Sequence, residues 1–473
     1  ILITNTTQQS ERIFFMVSQK KVDMTKGPIM QLVILFALPI CIGNVLQQLY
    51  NTVDTLVIGN FCNSVSLAAV GTSTQPVEIF LCLFLGIGSG VSILVSQSTG
   101  RGDISYIRRL AATSTAFLYL CAVPLMILGW FFGPYILKFM QVPDNAWNLS
   151  VAYLRIIFLG TIGSMGYNLN AGILRGLGDS KSSLLFLIIS CLVNIVLDIL
   201  FVAVFRMDVP GAALATILAQ FCSWFFSILY IRKKYPELEY SPLPKGIDRN
   251  VLSSIVRVGL PLGLNNSIYS IGHVLQQSLI NAQGSDYIAA CSVASKITGI
   301  ANVAITSFPS AATTFAGQNL GAQNYARLKK GGTTIPFWSG LITLTFGLII
   351  TAFCRPILML FTRDAAVLDL AVLYTRIVLP STWTYAVFNG IISFVNGMGE
   401  VRYPTIVNLL MLWAVRIPSA WLINRYGNGN YVVACFPISF TFGMLCMLAF
   451  FLTRRWKNIC ARAAAVTKQP DHP

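Results

Sequence analysis

The sequence is poor in charged residues, and poorest in acids and histidine. Charged side chains make up 11% of the 473 residues, with 17 acidic and 33 basic residues and two histidines. Hydrophobic residues make up 55%, and the mean hydropathy is +0.69. A soluble core of this size cannot cover so much apolar surface. The composition therefore excludes an ordinary soluble globular protein.

The sequence also lacks the motifs of common catalytic and metal sites. Its 11 cysteines are scattered singly without a CxxC pair, which argues against a disulfide framework or a zinc site. It has no HExxH, no Walker loop and no GxSxG in a strand-to-helix setting. The glycine-rich residues 86–90 are not followed by Gly-Lys-Ser/Thr, and we interpret them as a helix-packing segment. We expect a protein that is not an enzyme, uses no ATP and needs no cofactor.

Most of the sequence consists of long apolar runs. Runs able to cross about 30 Å of hydrocarbon recur roughly twelve times, and few are interrupted by charge. We predict an all-α polytopic membrane protein with about twelve transmembrane helices, whose starts are uncertain by about four residues. The predicted starts are Ile29, Ser66, Ser105, Trp147, Ser182, Val209, Asn250, Tyr287, Gly331, Leu368, Pro404 and Asn430.

The net charge of +16 is distributed unevenly along the chain. Lys and Arg gather in alternate connections, for example at residues 101–109, 232–249 and 327–330, while residues 59–65 and 283–286 carry none. This is the pattern of a membrane protein whose basic loops face the cytoplasm. It predicts that both termini are cytoplasmic, and it argues against a nucleic-acid partner.

An internal repeat of about 221 residues organises the chain. Residues 97–103 (QSTGRGD) match residues 318–324 (QNLGAQN), and residues 175–181 (RGLGDSK) match residues 396–402 (NGMGEVR). Each repeat holds an even number of spans, so we predict two six-helix lobes related by a pseudo-two-fold axis along the membrane normal. The predicted segments are a disordered or mis-started, dispensable tail at 1–23, an N-lobe at 24–235, a cytoplasmic linker at 236–249, a C-lobe at 250–456 and a tail at 457–473.

Two acids lie inside apolar spans of the first repeat. Asp54 belongs to the first span and Asp198 to the fifth. A charged side chain at the bilayer centre costs about 2.5–3.5 kcal/mol, so such acids usually face a bundle interior and handle ions or protons. The repeat places Gln276 opposite Asp54, Val415 opposite Asn194 and Ser419 opposite Asp198. Cation handling is therefore predicted in the first lobe only.

Helical spacing gathers the polar groups of this predicted site. Asn194 and Asp198 are four residues apart and share one face of the fifth helix, while Gln47, Tyr50 and Asp54 share one face of the first. Two carboxylates, an amide and a hydroxyl would form an oxygen-lined pocket for Na⁺ or for protons. The alternative is that each acid caps a helix end or pairs locally.

Other polar residues leave two interpretations open. Glu78 and Lys296 lie at near-equivalent places and either line the cleft or pair with buried groups. His273 beside Gln276 is either a proton site or a structural residue. The residues that we assign to a substrate path are Gln47, Tyr50, Asn168, Gln276 and Glu78.

Several motifs together resemble the multidrug and toxic compound extrusion (MATE) transporters, and among them the DinF-like prokaryotic branch. The resemblance covers residues 28–456, and its order and spacing are specific. The matching segments are residues 53–59 (VDTLVIG), 97–103 (QSTGRGD), 174–181 (LRGLGDSK), 194–198 (NIVLD), 210–216 (PGAALAT), 318–321 (QNLG), 396–400 (NGMGE) and 416–418 (RIP).

The resemblance implies a function and a fuller ion site. Family members similar to this chain export organic cations and amphipathic drugs in exchange for Na⁺ or H⁺, which implies a monomeric multi-pass protein of the bacterial inner membrane. The implied cation site consists of Asp54, Asn194, Asp198, the Thr216 hydroxyl and the Ala212 carbonyl, with Na⁺ at the first three. Two alternatives remain: a lipid-linked saccharide flippase of the same superfamily, and an ion channel without drug export.

Overall fold

The computed structural model describes residues 21–140, 142–244, 246–362, 364–453 and 455–466. Within these residues the chain is almost entirely helical and contains no β-strand. Twelve long helical stretches carry the fold, followed by a terminal helix, α13. They are α1 (Ile29–Phe61), α2 (Ser64–Arg101), α3 (Ile104–Phe139), α4 (Asp144–Gly176), α5 (Ser180–Val204), α6 (Asp208–Lys234), α7 (Arg249–Asn281), α8 (Ser285–Gly321), α9 (Tyr325–Ala352), α10 (Ala365–Gly397), α11 (Arg402–Tyr426), α12 (Gly429–Leu452) and α13 (Arg455–Val466).

The prediction of an all-α polytopic membrane protein is confirmed. Ten stretches within the described residues have the length and composition to cross a bilayer. The other two long helices, α7 and α8, are not among these ten. One predicted start is wrong: the ninth helix begins at Tyr325, six residues before Gly331. The hydropathy pattern does not predict the start of this helix, because its first residues are basic. The Asn324 side chain caps the helix by accepting a hydrogen bond from the backbone N–H of Arg327.

The repeated loop motifs are helix boundaries. Asp103 and Asp179 each accept a hydrogen bond from a backbone N–H in the first turn of α3 and α5, as Asn324 does in α9. Gly102 and Gly178, which precede the two acids, have φ of 75° and 91°, a conformation that favours glycine. The repeat signal in these loops therefore comes from capping, not from a ligand site.

Helices α1–α6 form the N-lobe and α7–α12 form the C-lobe. In the N-lobe α4 packs against α2, α3 and α6, and in the C-lobe α8 packs against α9 and α10. The lobes meet where α2 contacts α7 and α8, and where α1 contacts α8. Glycines allow this approach: a Cβ on Gly86 would lie 2.1 Å from Gly263 N, and one on Gly90 would lie 2.6 Å from Gly259 Cα.

Hydrogen bonds join the lobes at the end of the bundle that carries the basic loops, here called the basic end. Gln97 Nε2 donates to Gly397 O at 3.0 Å, and Gln318 Nε2 donates to Gly176 O at 3.2 Å. Gln97 and Gln318 are equivalent in the repeat, as are the two glycines. Each lobe thus holds the other through the same contact, and the basic end is closed.

Residues 22–28 cross the basic end and bind both lobes; we call them the N-terminal strap. Val22 N donates to Gly178 O of the N-lobe at 3.0 Å. Met24 N donates to Gln318 Oε1 at 3.0 Å, and Asn319 Nδ2 donates to Met24 O at 3.0 Å. Val22, which the sequence analysis assigned to a dispensable tail, is buried here. Residues 1–20 of that tail lie outside the described residues.

The connection between the lobes is anchored to the N-lobe. Arg108 of α3 forms an ion pair with Glu239 at 3.0 Å, and Arg232 Nε donates to Tyr240 O at 3.0 Å. Tyr240 is buried, and its hydroxyl donates to Asn170 Oδ1 of α4 at 2.5 Å. The predicted linker 236–249 is therefore packed against the N-lobe over part of its length.

Asp179, in the loop before α5, is a buried structural acid. Its carboxylate accepts from Lys234 Nζ at 2.9 Å, from the Ser182 hydroxyl at 2.8 Å and from the Tyr235 hydroxyl at 3.1 Å. Burial alone would raise the pKa of Asp179, but the hydrogen bonds from Lys234 and Ser182 outweigh it and hold this pKa below its usual range.

We predict that Asp179→Asn lowers stability at neutral pH but not in acid. A depressed folded-state pKa contributes stability above the unfolded pKa of about 3.9, and this stability is lost as pH falls through the folded pKa. The variant should lose about 1–3 kcal/mol at neutral pH. Thermal unfolding of purified protein from about pH 7 to about pH 1 measures this, because the range must pass below the depressed pKa of Asp179. Asp103→Asn, at an exposed cap, is the control. A difference from wild type that persists in strong acid would contradict the prediction.

We also predict that Met24→Ala loosens the N-terminal strap. Met24 is fully buried among C-lobe residues, and truncating such a side chain costs about 2–5 kcal/mol. Trypsin cleavage after Lys26, within the strap, should therefore become faster. Thr25→Ala is the control, because the Thr25 hydroxyl donates to Asp23 within the strap itself. Equal cleavage rates in wild type and Met24→Ala would show that Met24 does not hold the strap.

Candidate ion and substrate site

A cavity of about 1140 Å³ lies between α1, α2, α4, α5, α6 and α8. All of these except α8 belong to the N-lobe, and α8 contributes Thr306 and Ser310. The cavity is lined by five residues that the sequence analysis predicted for the ion site or substrate path. They are Gln47, Tyr50, Asp54, Asn168 and Thr216.

Asp198 and Asn194 lie buried on α5, with 0% and 1% of their surfaces exposed. Neither side chain lines the cavity. The Asn194 amide, one turn earlier on the same helix, lies within hydrogen-bond reach of the Asp198 carboxylate, but among the described residues the carboxylate has no basic partner. Immediately after Asp198 the helix widens into a π turn at Ile199–Val204, a feature common at functional sites. A buried carboxylate without a positive partner is costly, so this position favours a positively charged ligand.

Asp54 brings the second carboxylate to the same place. It lines the cavity, its Oδ1 has no partner among the described residues, and its charge interacts with that of Asp198. The Tyr50 hydroxyl, one turn away on α1, lies within hydrogen-bond reach of Thr216 on α6. Helix α1 and the consecutive helices α5 and α6 thus each contribute oxygen atoms to this region.

The role predicted for Ala212 needs a rearrangement. The Thr216 hydroxyl donates to the Ala212 carbonyl at 3.1 Å, so this carbonyl is engaged within α6. A cation that uses both oxygens would require the Thr216 hydroxyl to rotate away from the carbonyl.

The donor set fits a monovalent cation or a proton. It comprises two carboxylates together with neutral amide and hydroxyl oxygens, and oxygen ligands suit hard cations. No group of three or more His, Cys, Asp or Glu residues able to hold a metal ion occurs in the described part of the chain.

Other predicted residues lie elsewhere. Gln276 is not part of the cavity lining: it is buried on α7 with 1% of its surface exposed, and its Oε1 has no partner among the described residues. His273 and Lys296 are exposed on α7 and α8. Glu78 belongs to α2, but its side chain lies outside the described residues.

Sequence reasoning missed several polar residues of the cavity, among them Gln220 and Asn44. Gln220 lies one turn after Thr216 on α6, and its Oε1 is buried without a partner in the part of the chain that the structure describes. Asn44 of α1 donates through Nδ2 to the hydroxyls of Thr306 and Ser307 on α8, at 3.2 Å each. The four-residue spacing of Thr216 and Gln220 could have predicted Gln220, because it places both on one face of α6. No sequence pattern could have predicted Asn44, because its hydrogen-bond partners lie in the other lobe.

Two six-helix lobes and a polar cavity with buried carboxylates define a membrane transporter of the two-lobed helical class. The MatE family model matches the chain twice, over residues 39–200 and 261–422, which together are more than half of the chain. The chain therefore belongs to the MatE family of membrane transporters.

Curated relatives carry names that fit this family. The chain is 27% identical over 448 residues to the probable multidrug resistance protein YoeA of Bacillus subtilis, covering 92% of this chain and 96% of the relative. It is 25% identical over 435 residues to the probable multidrug resistance protein NorM of Thermotoga maritima, covering 89% and 92%.

Solved structures share the fold. A MATE protein in complex with MaD3S superposes with a TM-score of 0.84 at 23% identity, covering 95% of this chain and 100% of that one. An outward-facing multidrug resistance MATE family transporter of the MOP superfamily superposes with a TM-score of 0.83 at 24% identity, covering 95% and 99%. The predicted two-lobe architecture is confirmed.

A wide turn in α11 corrects the register of the repeat. The two family matches are 222 residues apart, one more than the repeat in the basic loops. The α11 π turn at Met411–Arg416 adds one residue before the position equivalent to Asn194, whereas the α5 π turn comes after Asp198. Counted at the spacing of the two family matches, the residues opposite Asn194 and Asp198 are Arg416 and Ala420 in place of Val415 and Ser419.

We predict that Asp198→Asn stabilises the cation-free protein. The substitution removes an unpaired buried charge and should raise the free energy of unfolding in choline buffer by about 1–3 kcal/mol. Added Na⁺, or acid if the ligand is a proton, should raise the wild-type midpoint and leave that of the variant unchanged. Thermal unfolding of purified protein measures both effects. Asp144→Asn, at the exposed start of α4, is the control. An equal cation response in wild type and Asp198→Asn would exclude this site.

Proposed function

We propose that the protein is a secondary active multidrug efflux transporter that exchanges cytoplasmic organic cations or amphipathic drugs for Na⁺ or H⁺. The observation that carries the proposal is the pair of interacting acids, Asp54 and Asp198, of which Asp54 lines a cavity of about 1140 Å³. Intramembrane carboxylates without a basic partner favour a cation, and the cavity is larger than a typical drug site of about 300–1,000 Å³. The multidrug resistance names of the relatives support the same function.

The composition of the cavity supports cationic and amphipathic substrates. Its wall combines the Asp54 carboxylate with aromatic and apolar side chains such as Tyr50, Phe84 and Met165. Aromatic faces and a carboxylate favour an organic cation, and apolar surface favours its hydrophobic body. Arg175 is the one basic residue among the lining residues, whereas a lipid-linked diphosphate would call for several.

The closed basic end supports an orientation. Basic loops face the cytoplasm in membrane proteins. The glutamine ties and the N-terminal strap close this end. We propose that the chain lies in the bacterial inner membrane with both termini in the cytoplasm, and that the described conformation faces outward. One chain encloses the site, so we propose a monomer.

Exchange follows from competition for the N-lobe. A cation at Asp198 neutralises the buried charge and favours a conformation in which α1 and α5 pack more closely. That packing narrows the cavity between these helices and expels the drug. Loss of the cation to the cytoplasm restores the negative site and its affinity for a cationic drug. Each ligand changes the affinity for the other by the same factor, which is the requirement for coupled exchange.

Efflux assays test the proposal. Cells that express the wild type should export ethidium, and export should respond to the Na⁺ gradient or the pH gradient when the two are set independently. We predict that Asp54→Asn and Asp198→Asn, at normal abundance, lose drug resistance and gradient-dependent efflux, because an amide keeps the shape but not the charge. Asp144→Asn should behave as wild type.

The outcomes separate the alternatives. Efflux that continues in both Asn variants with unchanged ion dependence would refute the role of the acids. Ion current without ethidium export would favour a channel, and transport of a lipid-linked saccharide in place of ethidium would favour a flippase.

A further inference from the structure

The C-lobe buries a cation for which the described residues offer no acidic partner. Arg416 of α11 has 1% of its surface exposed and is the bulkiest fully buried side chain. The salt bridges of the described residues all lie elsewhere, at Arg108, Arg109, Lys234 and Arg355. Its charge must therefore be stabilised by neutral groups or by a bound ligand.

The contacts of Arg416 are neutral and incomplete. Nε donates to the Ser439 hydroxyl at 3.0 Å, and Nη1 donates to the Tyr269 hydroxyl at 2.9 Å. The guanidinium also lies over the rings of Tyr269, Phe436 and Phe440, with 5.8, 5.2 and 5.0 Å to their centroids. Nη2 is buried and has no acceptor among the described residues. A guanidinium carries five N–H donors, so part of its hydrogen-bonding capacity is unused.

The neutral contacts supply no counter-charge for the buried guanidinium. Burial of an ion is costly unless the ion is paired, and a buried N–H without an acceptor adds to that cost. An anion beside Nη2 would supply both the missing acceptor and the missing charge.

The repeat shows that charge is reversed between the lobes. Arg416 occupies the position of Asn194, Gln276 that of Asp54, and Ala420 that of Asp198. Where the N-lobe has two carboxylates and an amide, the C-lobe has an amide, a guanidinium and a methyl group. The Arg416 Nη2 is buried and lacks an acceptor among the described residues. The buried charge in this part of the C-lobe is therefore positive, whereas that of the N-lobe site is negative.

We propose that Arg416, with Tyr269 and Ser439, binds a small monovalent anion in the C-lobe, either a halide or the carboxylate of a transported molecule. Tyr269 is half-buried on α7, the helix that faces α2 across the lobes. The hydroxyl of the next residue, Ser270, lies 3.7 Å from the thiol of Cys82, which lines the central cavity. This proposal does not depend on the proposed drug export.

Anion titration of the purified full chain tests the proposal. Thermal unfolding is followed in sodium sulfate while bromide or acetate replaces sulfate at constant Na⁺ concentration, so that the N-lobe site sees no change. Bromide or acetate should raise the wild-type midpoint by several degrees and then saturate. Arg416→Gln should abolish the rise. The matched control is Arg155→Gln, because Arg155 lies 5.1 Å from the Trp130 ring centroid in the N-lobe and should not affect anion binding.

The two probes separate the sources of the anion. A response to bromide alone indicates an inorganic halide, and a response to acetate alone indicates the carboxylate of a transported molecule. An anomalous bromide signal beside Arg416 in wild-type crystals would decide the matter even if Arg416→Gln failed to fold. The proposal is overturned if neither anion shifts the wild-type midpoint, or if Arg416→Gln retains the shift. Ethidium efflux is measured separately, so failure of the anion site does not bear on drug export.

Discussion

Asp198 imposes the main constraint on the N-lobe, because it is a carboxylate removed from water without a basic partner among the described residues. Burial of such a group is tolerated when a positive charge or a proton accompanies it. The features around it fit this requirement: a second carboxylate at Asp54, hydroxyls from Tyr50 and Thr216, a π turn that widens α5, and a polar cavity on one side. The N-lobe thus surrounds the Asp198 carboxylate without supplying a basic side chain to pair with it.

Closure and ligand binding are assigned to different parts of the molecule. At the basic end the polar groups are paired across the lobes: Gln97 and Gln318 reach equivalent carbonyls, and the N-terminal strap binds Gly178 on one side and Gln318 on the other. Deeper in each lobe, polar groups are buried without partners within the described residues. Paired groups favour one closed arrangement, whereas unpaired groups favour whichever arrangement admits a ligand. This contrast is what a two-state transporter needs.

Particular residues show how far sequence reasoning reached. Asn194 and Asp198 were placed on one face because four-residue spacing in a helix is enough for that. Gln276 was assigned to the substrate path by its place in the repeat, yet the structure buries it away from the cavity lining, because helix rotation and packing decide which side of α7 faces inward. Gln97 and Gln318 were seen as a repeat, but their role in joining the lobes depends on contacts about 300 and 140 residues away in sequence.

The sequence by itself determined the class of protein, the positions of the helices, the two-fold repeat and the confinement of intramembrane acids to the first half. These follow from hydrophobicity and spacing, which are local or periodic properties. Only the tertiary structure decided that Val22 and Met24 cross between the lobes, that the linker packs on α3, and that Arg416 stands where the first lobe has Asn194. The position of Arg416 depends on a single extra residue in the α11 π turn. No local sequence pattern predicts that turn, because packing decides its hydrogen bonds.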